Sequence, residues 1–367
     1  MNKKEVKKAP TLRFKGFTND WEQRKLKDCL EINSGRDYKH LHSGNIPVFG
    51  TGGYMLSVDE ALSYKNAIGI GRKGTIDKPQ LLIAPFWTVD TLFFLTPEND
   101  TDLYFLFSFF QKVNWKKYDE STGLPSLSKK TISTIKIKTP SKNEQIKIGT
   151  LIQKVNNLIS LQQRKLKLLK VMKKALSQYM FCQEIEFVPI LRFNSFSDKW
   201  KYERLKNLIV KEIKGKAKAD MKGTKSTYID TALLNGGSIT KVDSPTDTFH
   251  NDIIILWDGS QAGKIYHGFT GALGSTLKSY KPKYSGGFLY QYLKSKEPII
   301  FLRYRTPNIP HVVKDFTEIF KINVPSVKEQ EKISKTLNYL DQSILVETKK
   351  IGSIKKIKKF LLQNMFI

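Results

Sequence analysis

The chain has 367 residues, 40% of them hydrophobic, with 62 Lys and Arg against 34 Asp and Glu, for a formal net charge of +28. That length exceeds what one core organises and suits two domains of ordinary size with connecting helices. A polycation of this size repels itself when free, whereas nucleic acid neutralises it and releases counterions, so the expected partner is a polyanion.

Residues 1–10 read as a loose basic arm without an apolar segment, and no run approaches the length needed to cross a bilayer. The expected location is the cytoplasm, with no membrane partner. From there to about residue 139, short apolar runs bounded by turn formers predict strands at 46–49, 67–70, 81–83 and 91–95. Residues 102–117 are dense in Leu, Tyr, Phe and Trp and free of Pro and Gly, which predicts a buried helix. The region is mixed α and β (α+β).

Next, after Pro140, comes a helical stretch whose seam steps alternately by four and three: Ile148, Ile152, Val155, Ile159, Gln162, Leu166, Leu169, Lys173, Leu176 and Met180. Eight of these ten are apolar, the pattern of a coiled-coil seam. The chain then repeats itself. A second variable region, with its clearest strand at 252–257 and a helix at 288–296, leads to a second stretch after Pro325 with the seam Ile333, Leu337, Leu340, Ile344, Glu347, Ile351, Ile354, Lys358, Leu361 and Met365. Residues 139–181 match 324–366 at a constant offset of 185, pairing Glu144 with Glu329, Gln145 with Gln330 and Phe181 with Phe366. Upstream, Leu12, Arg13 and Phe14 match Leu191, Arg192 and Phe193, and Trp21 matches Trp200, at an offset of 179. The molecule is a tandem duplication: two dissimilar heads on two nearly identical helical supports.

Each helix carries one narrow apolar stripe, so its burial requires a partner with the same repeat. Parallel pairing puts both heads at one end of the pair and antiparallel pairing puts them at opposite ends with a pseudo-twofold axis. About 39 helical residues at ~1.5 Å each make a rod of roughly 60 Å, longer than one ~34 Å turn of DNA, and so able to act as a ruler.

In this arrangement the chain resembles the specificity subunit of type I restriction-modification systems over nearly its whole length. The motifs agree in order, twice over: 12–14 with Trp21, 71–75, 85–87 leading to 90–92, and 123–125 before Pro140; then 191–193 with Trp200, 257–260 with Gly263, and 274–277. The resemblance implies two target-recognition domains, each reading one half of a bipartite, asymmetric double-stranded DNA target, with antiparallel helices setting the unread spacer. It also implies two docked modification subunits that carry the adenine methyltransferase chemistry, and restriction subunits that translocate and cleave. The divisions follow: recognition domain 1–140, central helix 141–182, recognition domain 183–325, distal helix 326–367.

Catalytic chemistry is not expected in this chain. It has no Pro-Pro pair of the kind an adenine methyltransferase uses behind its flipped base. Gly69, Gly71 and Gly74 satisfy GxGxxG but run on to Pro79 rather than into a helix that would receive a pyrophosphate. The loop at 259–264 is one residue short of a phosphate loop, and Ile265 replaces its hydroxyl residue. The histidines His40, His42, His250, His267 and His311 show no metal spacing, and His40 and His42 alternate as on an extended segment. Cys29 and Cys182, one in each half, read as reduced core thiols. Asp90 and Asp258 read as turn or capping residues, and no metal or cofactor is expected.

Cations near Gly or aromatic residues are the candidates for DNA contact. In the first half these are Arg36, Lys39, His40, Arg72 and Lys73, with Lys129 and Lys130 on the backbone. In the second they are Lys214, Lys216, Lys218, Lys222 and Lys225 as a basic run, then Gln261, Lys264, His267, Arg303 and Arg305. Trp87 and Trp257 lie at matching points and read as core. For Glu144, Gln145, Glu329 and Gln330, capping and contact with modification subunits stand side by side. Two other readings compete with the DNA-reading subunit: a stand-alone duplicated binding or scaffold protein, and a single-chain DNA methyltransferase or nuclease.

Overall fold

The computed structural model describes residues 9–182 and 186–367, so the basic arm expected at 1–10 lies, but for its last two residues, outside the described residues. The chain forms two compact units, Met1–Gln163 with Lys349–Ile367, and Arg164–Thr348. Each unit therefore holds one head and a part of each long helix.

In the first unit the head is closed at its base by Glu22–Lys25 pairing antiparallel with Lys136–Thr139. Above this pair lies an antiparallel sheet in the order Leu30–Ser34, Leu92–Pro97, Ala67–Gly71, Gln80–Leu82. A second sheet joins Gly53–Val58 to Ser43–Gly50, with Trp87–Thr88 added in parallel. Ala67–Gly71 is buried at every residue because both of its faces are covered. Ile68 and Ile70 point with Phe93 and Leu95 into one cluster, while Ala67 points with Leu92 and Phe94 into another, the period of two that a strand requires.

The helix expected at 102–117 begins as foreseen, with Asp102 Oδ1 accepting the Phe105 N–H at 2.8 Å, but it ends at Lys112. The indole Nε1 of Trp115 donates to the Phe110 carbonyl at 2.8 Å and folds the next residues into a separate turn, Trp115–Tyr118.

The second head repeats this plan. Lys201–Arg204 pairs with Lys321–Val324 at the base; the main sheet runs Ile209–Lys214, Leu277–Pro282, Ile253–Leu256, Ile265–His267; and Lys222–Ile229 joins Lys241–Val242 and, in parallel, Ala272–Leu273. Its helix, Gly286–Ser295, is capped by Ser285 and followed by a second, Glu297–Arg303, that the first head lacks.

The supports are the central helix Lys142–Tyr179 and the distal helix Val327–Asn364. They pair antiparallel. In the first unit Ile148 and Ile152, early in the central helix, share a core with Leu362, Met365 and Phe366 at the end of the distal one. In the second unit Met180 and Phe181 share a core with Ile333 and Leu337, and the ion pairs Lys173–Asp341 and Lys165–Glu347 run in opposite directions along the two helices. No seam position is exposed. Ile148, Ile152, Ile159, Met180, Ile333, Leu337, Leu340, Ile351, Ile354 and Met365 are buried; Val155, Leu166, Leu169, Leu176, Ile344 and Leu361 are half-buried.

A twinned clamp fastens each head to its support. Arg13 makes a bidentate pair with Glu144, both contacts at 2.8 Å, and donates to the Asn19 carbonyl at 2.7 Å. Arg192 does the same with Glu329 at 2.8 Å and with the Asp198 carbonyl at 2.6 Å. In both pairs the hydrogen bond to the carboxylate is the largest influence on the guanidinium and raises its pKa. Gln145 and Gln330 donate to the Pro140 and Pro325 carbonyls, each at 3.0 Å. Glu144, Gln145, Glu329 and Gln330 are all buried, so their partners are internal. The chain entering each head is tied down as well: the Leu191 N–H donates to Tyr179 and the Leu12 N–H to Asn364, the ends of the central and distal helices.

Cys29 and Cys182 are buried free thiols, and burial pushes the Cys182 thiol up to about 12. Among the described residues no helix is long and apolar enough to cross a membrane.

Candidate nucleic-acid interface

In the first unit the main sheet presents the ends of three strands together: Ser34, Leu92 and Gly71. The chain leaves this edge through Gly35, whose missing Cβ would stand 2.0 Å from the Val89 carbonyl, a space open only to glycine. Arg36 follows, exposed, with its carbonyl accepting the Trp87 indole N–H at 3.0 Å. Lys39 and His40 are exposed in a turn closed by the Leu41 N–H on the Tyr38 carbonyl, and the His40 ring meets Trp87 edge-on at 5.8 Å. This turn replaces the extended segment expected there: closing it at Tyr38 sets the His40 ring edge-on to the buried Trp87.

Arg72 and Lys73 leave the same edge, both N–H groups donating to the Thr91 carbonyl at 2.8 and 3.3 Å. The Arg72 guanidinium lies 5.9 Å from the centre of the Phe93 ring. Lys73 bridges to Ser126, and Ser128 caps the short helix Lys129–Thr134. The result is a recess of about 370 Å³ lined by Ser34, Arg72, Lys73, Phe93, Ser126, Leu127, Ser128 and Lys129. Of the candidates, the structure thus gathers Arg72, Lys73 and Lys129 at one place, with Arg36 leaving the same sheet edge and Lys130 exposed beside Lys129. Glu120, the nearby acid, accepts hydrogen bonds from Ser128 and Thr131, and these hold its pKa below the usual range, Thr131 most strongly.

The second unit has the same backbone at this place and different chemistry. Gly35 N–H donates to Leu92 and Gly215 N–H to Leu277; Arg72 N–H donates to Thr91 and Trp257 N–H to Thr276; Gly74 N–H donates to Pro125 and Gly259 N–H to Pro310; Leu127 N–H donates to Arg72 and Val312 N–H to Trp257. Trp257 therefore stands where Arg72 stands, Asp258 where Lys73 stands, and Lys278 where Phe93 stands. The expected match of Trp257 with Trp87 is corrected: Trp87 pairs with Val48 in parallel as Ala272 pairs with Tyr228. Both tryptophans are nevertheless buried. The cation and the ring have exchanged places, since Lys278 Nζ lies 3.5 Å over the Trp257 ring. Lys214 is bound to Asp258 at 2.6 Å.

Of the remaining candidates of this unit, Gln261, Lys264 and Arg305 meet at the loop 259–264, and the others lie apart from it. Lys216 and Lys218 are exposed on a loop, and Lys222 and Lys225 on the strand that follows. Lys264 donates to Gln261 at 2.7 Å. Arg305 lies 3.5 Å over the Phe301 ring and donates to the Ser260 carbonyl, while Arg303 is exposed. His267 is removed from the candidates. It is half-buried, stacks on Tyr290 at 5.2 Å and has its Nε2 out of solvent; burial first, and His250 second, lower its pKa. Among the described residues no three His, Cys, Asp or Glu gather as metal ligands.

Sequence reasoning missed Lys278, Ser34, Ser126 and Ser128. Lys278 was accessible: the offset of 185 that relates the supports also relates Arg72 to Trp257 and Phe93 to Lys278. The serines carry no such signal.

Comparison with known proteins agrees with this layout. The family model for the type I restriction modification DNA specificity domain matches residues 18–171 and again 197–356. The chain is 34% identical over 178 residues to the specificity subunit of the type I restriction enzyme MjaVIII from Methanocaldococcus jannaschii, a match covering 46% of this chain and 42% of that protein, less than half of the relative's length. Among solved structures, the S subunit of a type I restriction-modification system from M. genitalium superposes with a TM-score of 0.77 at 17% identity, covering 98% of this chain and 99% of that one. A chain from a structure of complex assembly and conformational transition in the type I R-M system gives 0.51 at 14% identity over 94% and 97% of the two chains. At these identities the structural likeness establishes the fold.

Proposed function

Because the chain belongs to the family of type I restriction-modification DNA specificity domains, matched twice in tandem, we propose that it is the DNA-reading subunit of such a system. Each head reads one half of a bipartite double-stranded target, and the paired helices set the unread spacer. The observation that carries this reading is the pairing of unlike heads with like supports: the clamp at Arg13–Glu144 recurs at Arg192–Glu329, while Arg72, Lys73 and Phe93 give way to Trp257, Asp258 and Lys278. A scaffold that keeps its joints and varies its exposed chemistry suits a reader whose target changes while its assembly does not.

The subunit itself performs no chemistry in this reading. Two modification subunits dock on the helices, and restriction subunits join the full complex, which works in the cytoplasm. The solvent-facing sides of the helices carry the apolar residues such docking uses, among them Leu161, Leu168 and Val171 on the central helix and Val346, Ile357 and Phe360 on the distal one. Residues 1–140 and 183–325 are then the readers, and 141–182 and 326–367 the supports.

The test is an exchange. Replacing residues 12–139 with the corresponding region of another family member, in the presence of the modification subunits, changes one half of the methylated target and leaves the other half and the spacer as they were. An unchanged target, or a change in both halves, rejects modular reading.

A further inference from the structure

The recess at the sheet edge of the first unit has no counterpart of the same chemistry in the second, and this asymmetry bears on how DNA is held. We propose that the recess formed by Arg72, Lys73, Lys129, Ser34 and Ser126 is a seat for one backbone phosphate of the target duplex, present in the first head and absent from the second. The proposal rests on the DNA-reading function above and names the chemistry of one contact within it.

Shape decides between phosphate and base. A base edge lies on the floor of a groove and is reached by a side chain that protrudes, whereas a phosphodiester stands out from the duplex and fits a concavity. Here the cations line a hollow of about 370 Å³. Its lining suits a tetrahedral anion: Arg72, Lys73 and Lys129 border one space with Ser34 and Ser126, residue types that give oxyanions charge-assisted hydrogen bonds, while the Ser128 hydroxyl donates to Glu120 instead. No carboxylate lines it. The Arg72 guanidinium also lies 5.9 Å from the centre of the Phe93 ring, another wall of the recess.

At the equivalent place in the second head two of the three cations are replaced, and the two lysines gained are engaged internally. Asp258 stands for Lys73 and Trp257 for Arg72. Lys214, standing for Ser34, is tied to Asp258 at 2.6 Å, and Lys278 is drawn onto the Trp257 ring at 3.5 Å. Lys314 alone keeps the positive charge of its counterpart Lys129.

The experiment measures binding of the full chain to a fluorescent duplex of mixed sequence across a series of salt concentrations. The variant Arg72→Gln, Lys73→Gln, Lys129→Gln is compared with a control that loses the same charge from the central helix, Lys167→Gln, Lys170→Gln, Lys174→Gln. All six residues are exposed, and thermal melting of both variants checks the fold. The expected result is a plot of log affinity against log salt that is shallower by roughly one for the recess variant, the loss of one phosphate contact, with the control parallel to the parent chain. A recess variant that tracks the control overturns the seat and leaves DNA reading intact; a parent chain that binds no duplex overturns DNA reading itself. A third arm adds inorganic phosphate at constant ionic strength. Stronger displacement of DNA from the parent than from the recess variant is expected of a seat that a duplex phosphate occupies, and equal displacement from both overturns the assignment.

Discussion

Arg13 and Arg192 are the residues on which the attachment of each head depends. Each guanidinium faces a carboxylate that is almost wholly out of solvent, Glu144 or Glu329, both 1% exposed at the side chain. Removing one partner of a buried pair leaves the other charge uncompensated, which costs about 3–5 kcal/mol. Arg13→Met is therefore expected to lower unfolding stability by that amount, and Arg192→Met by a similar one, because the geometry is duplicated. Urea unfolding checks this, and a loss under about 1 kcal/mol for either would contradict the clamp. Both ends of the clamp were visible in the sequence as repeated motifs. Their pairing was not, because the contact spans 131 residues in one half and 137 in the other, and no local pattern connects them. The recess was half legible for the same reason: Arg72 and Lys73 announce themselves beside glycines, but Ser34, at a strand end, and Ser126, in a distant loop, meet only in the fold.

The helical supports were the most legible elements, since their seams state period and partner at once. Their asymmetry needed coordinates. The second unit has the ion pairs Lys173–Asp341 and Lys165–Glu347. The same offset puts Lys358 and Asn156, and Lys350 and Gln162, at those positions in the first unit, so an amide replaces each acid. Lys358 is half-buried, and burial alone depresses its pKa from 10.5. A base whose folded pKa is lowered costs stability while it is charged, and that cost is relieved as pH rises through the lowered value toward the ordinary one. Asn156→Asp should supply the missing acid, raise stability at neutral pH by up to about 1 kcal/mol, and flatten the alkaline gain. Thermal melts across pH test it, and an unchanged or lowered midpoint at neutral pH would count against the pairing. The helices also carry the spacer argument. Deleting 154–160 together with 339–345 removes one heptad from each seam in register, about 10 Å of rise, and should shorten the unread spacer by about three base pairs while both half-site sequences persist. Altered half-site sequences would refute the ruler.

At the scale of the molecule, duplication explains why so much of the architecture was readable and so little of the specificity. Two copies of a support expose their invariant features by comparison within one chain, which no single copy allows. Trp21 and Trp200, the Leu-Arg-Phe entries and the paired prolines all mark joints. The heads diverge where they are free to, and there the comparison misled: the two conspicuous tryptophans Trp87 and Trp257 occupy different places, while a cation and a ring trade positions between Arg72–Phe93 and Lys278–Trp257. Which bases are read follows from a few exposed side chains and from deformation of the duplex, and neither is written in periodicity. The central claim is that two unlike readers on one duplicated support recognise two unlike half-sites at a set separation. The most direct measurement is co-expression with the cognate modification subunit, followed by genome-wide mapping of methyladenine. The predicted result is a single bipartite, asymmetric target whose halves flank a spacer of fixed length and indifferent sequence. A continuous or palindromic target, or methylation by this chain in the absence of the modification subunit, would contradict it.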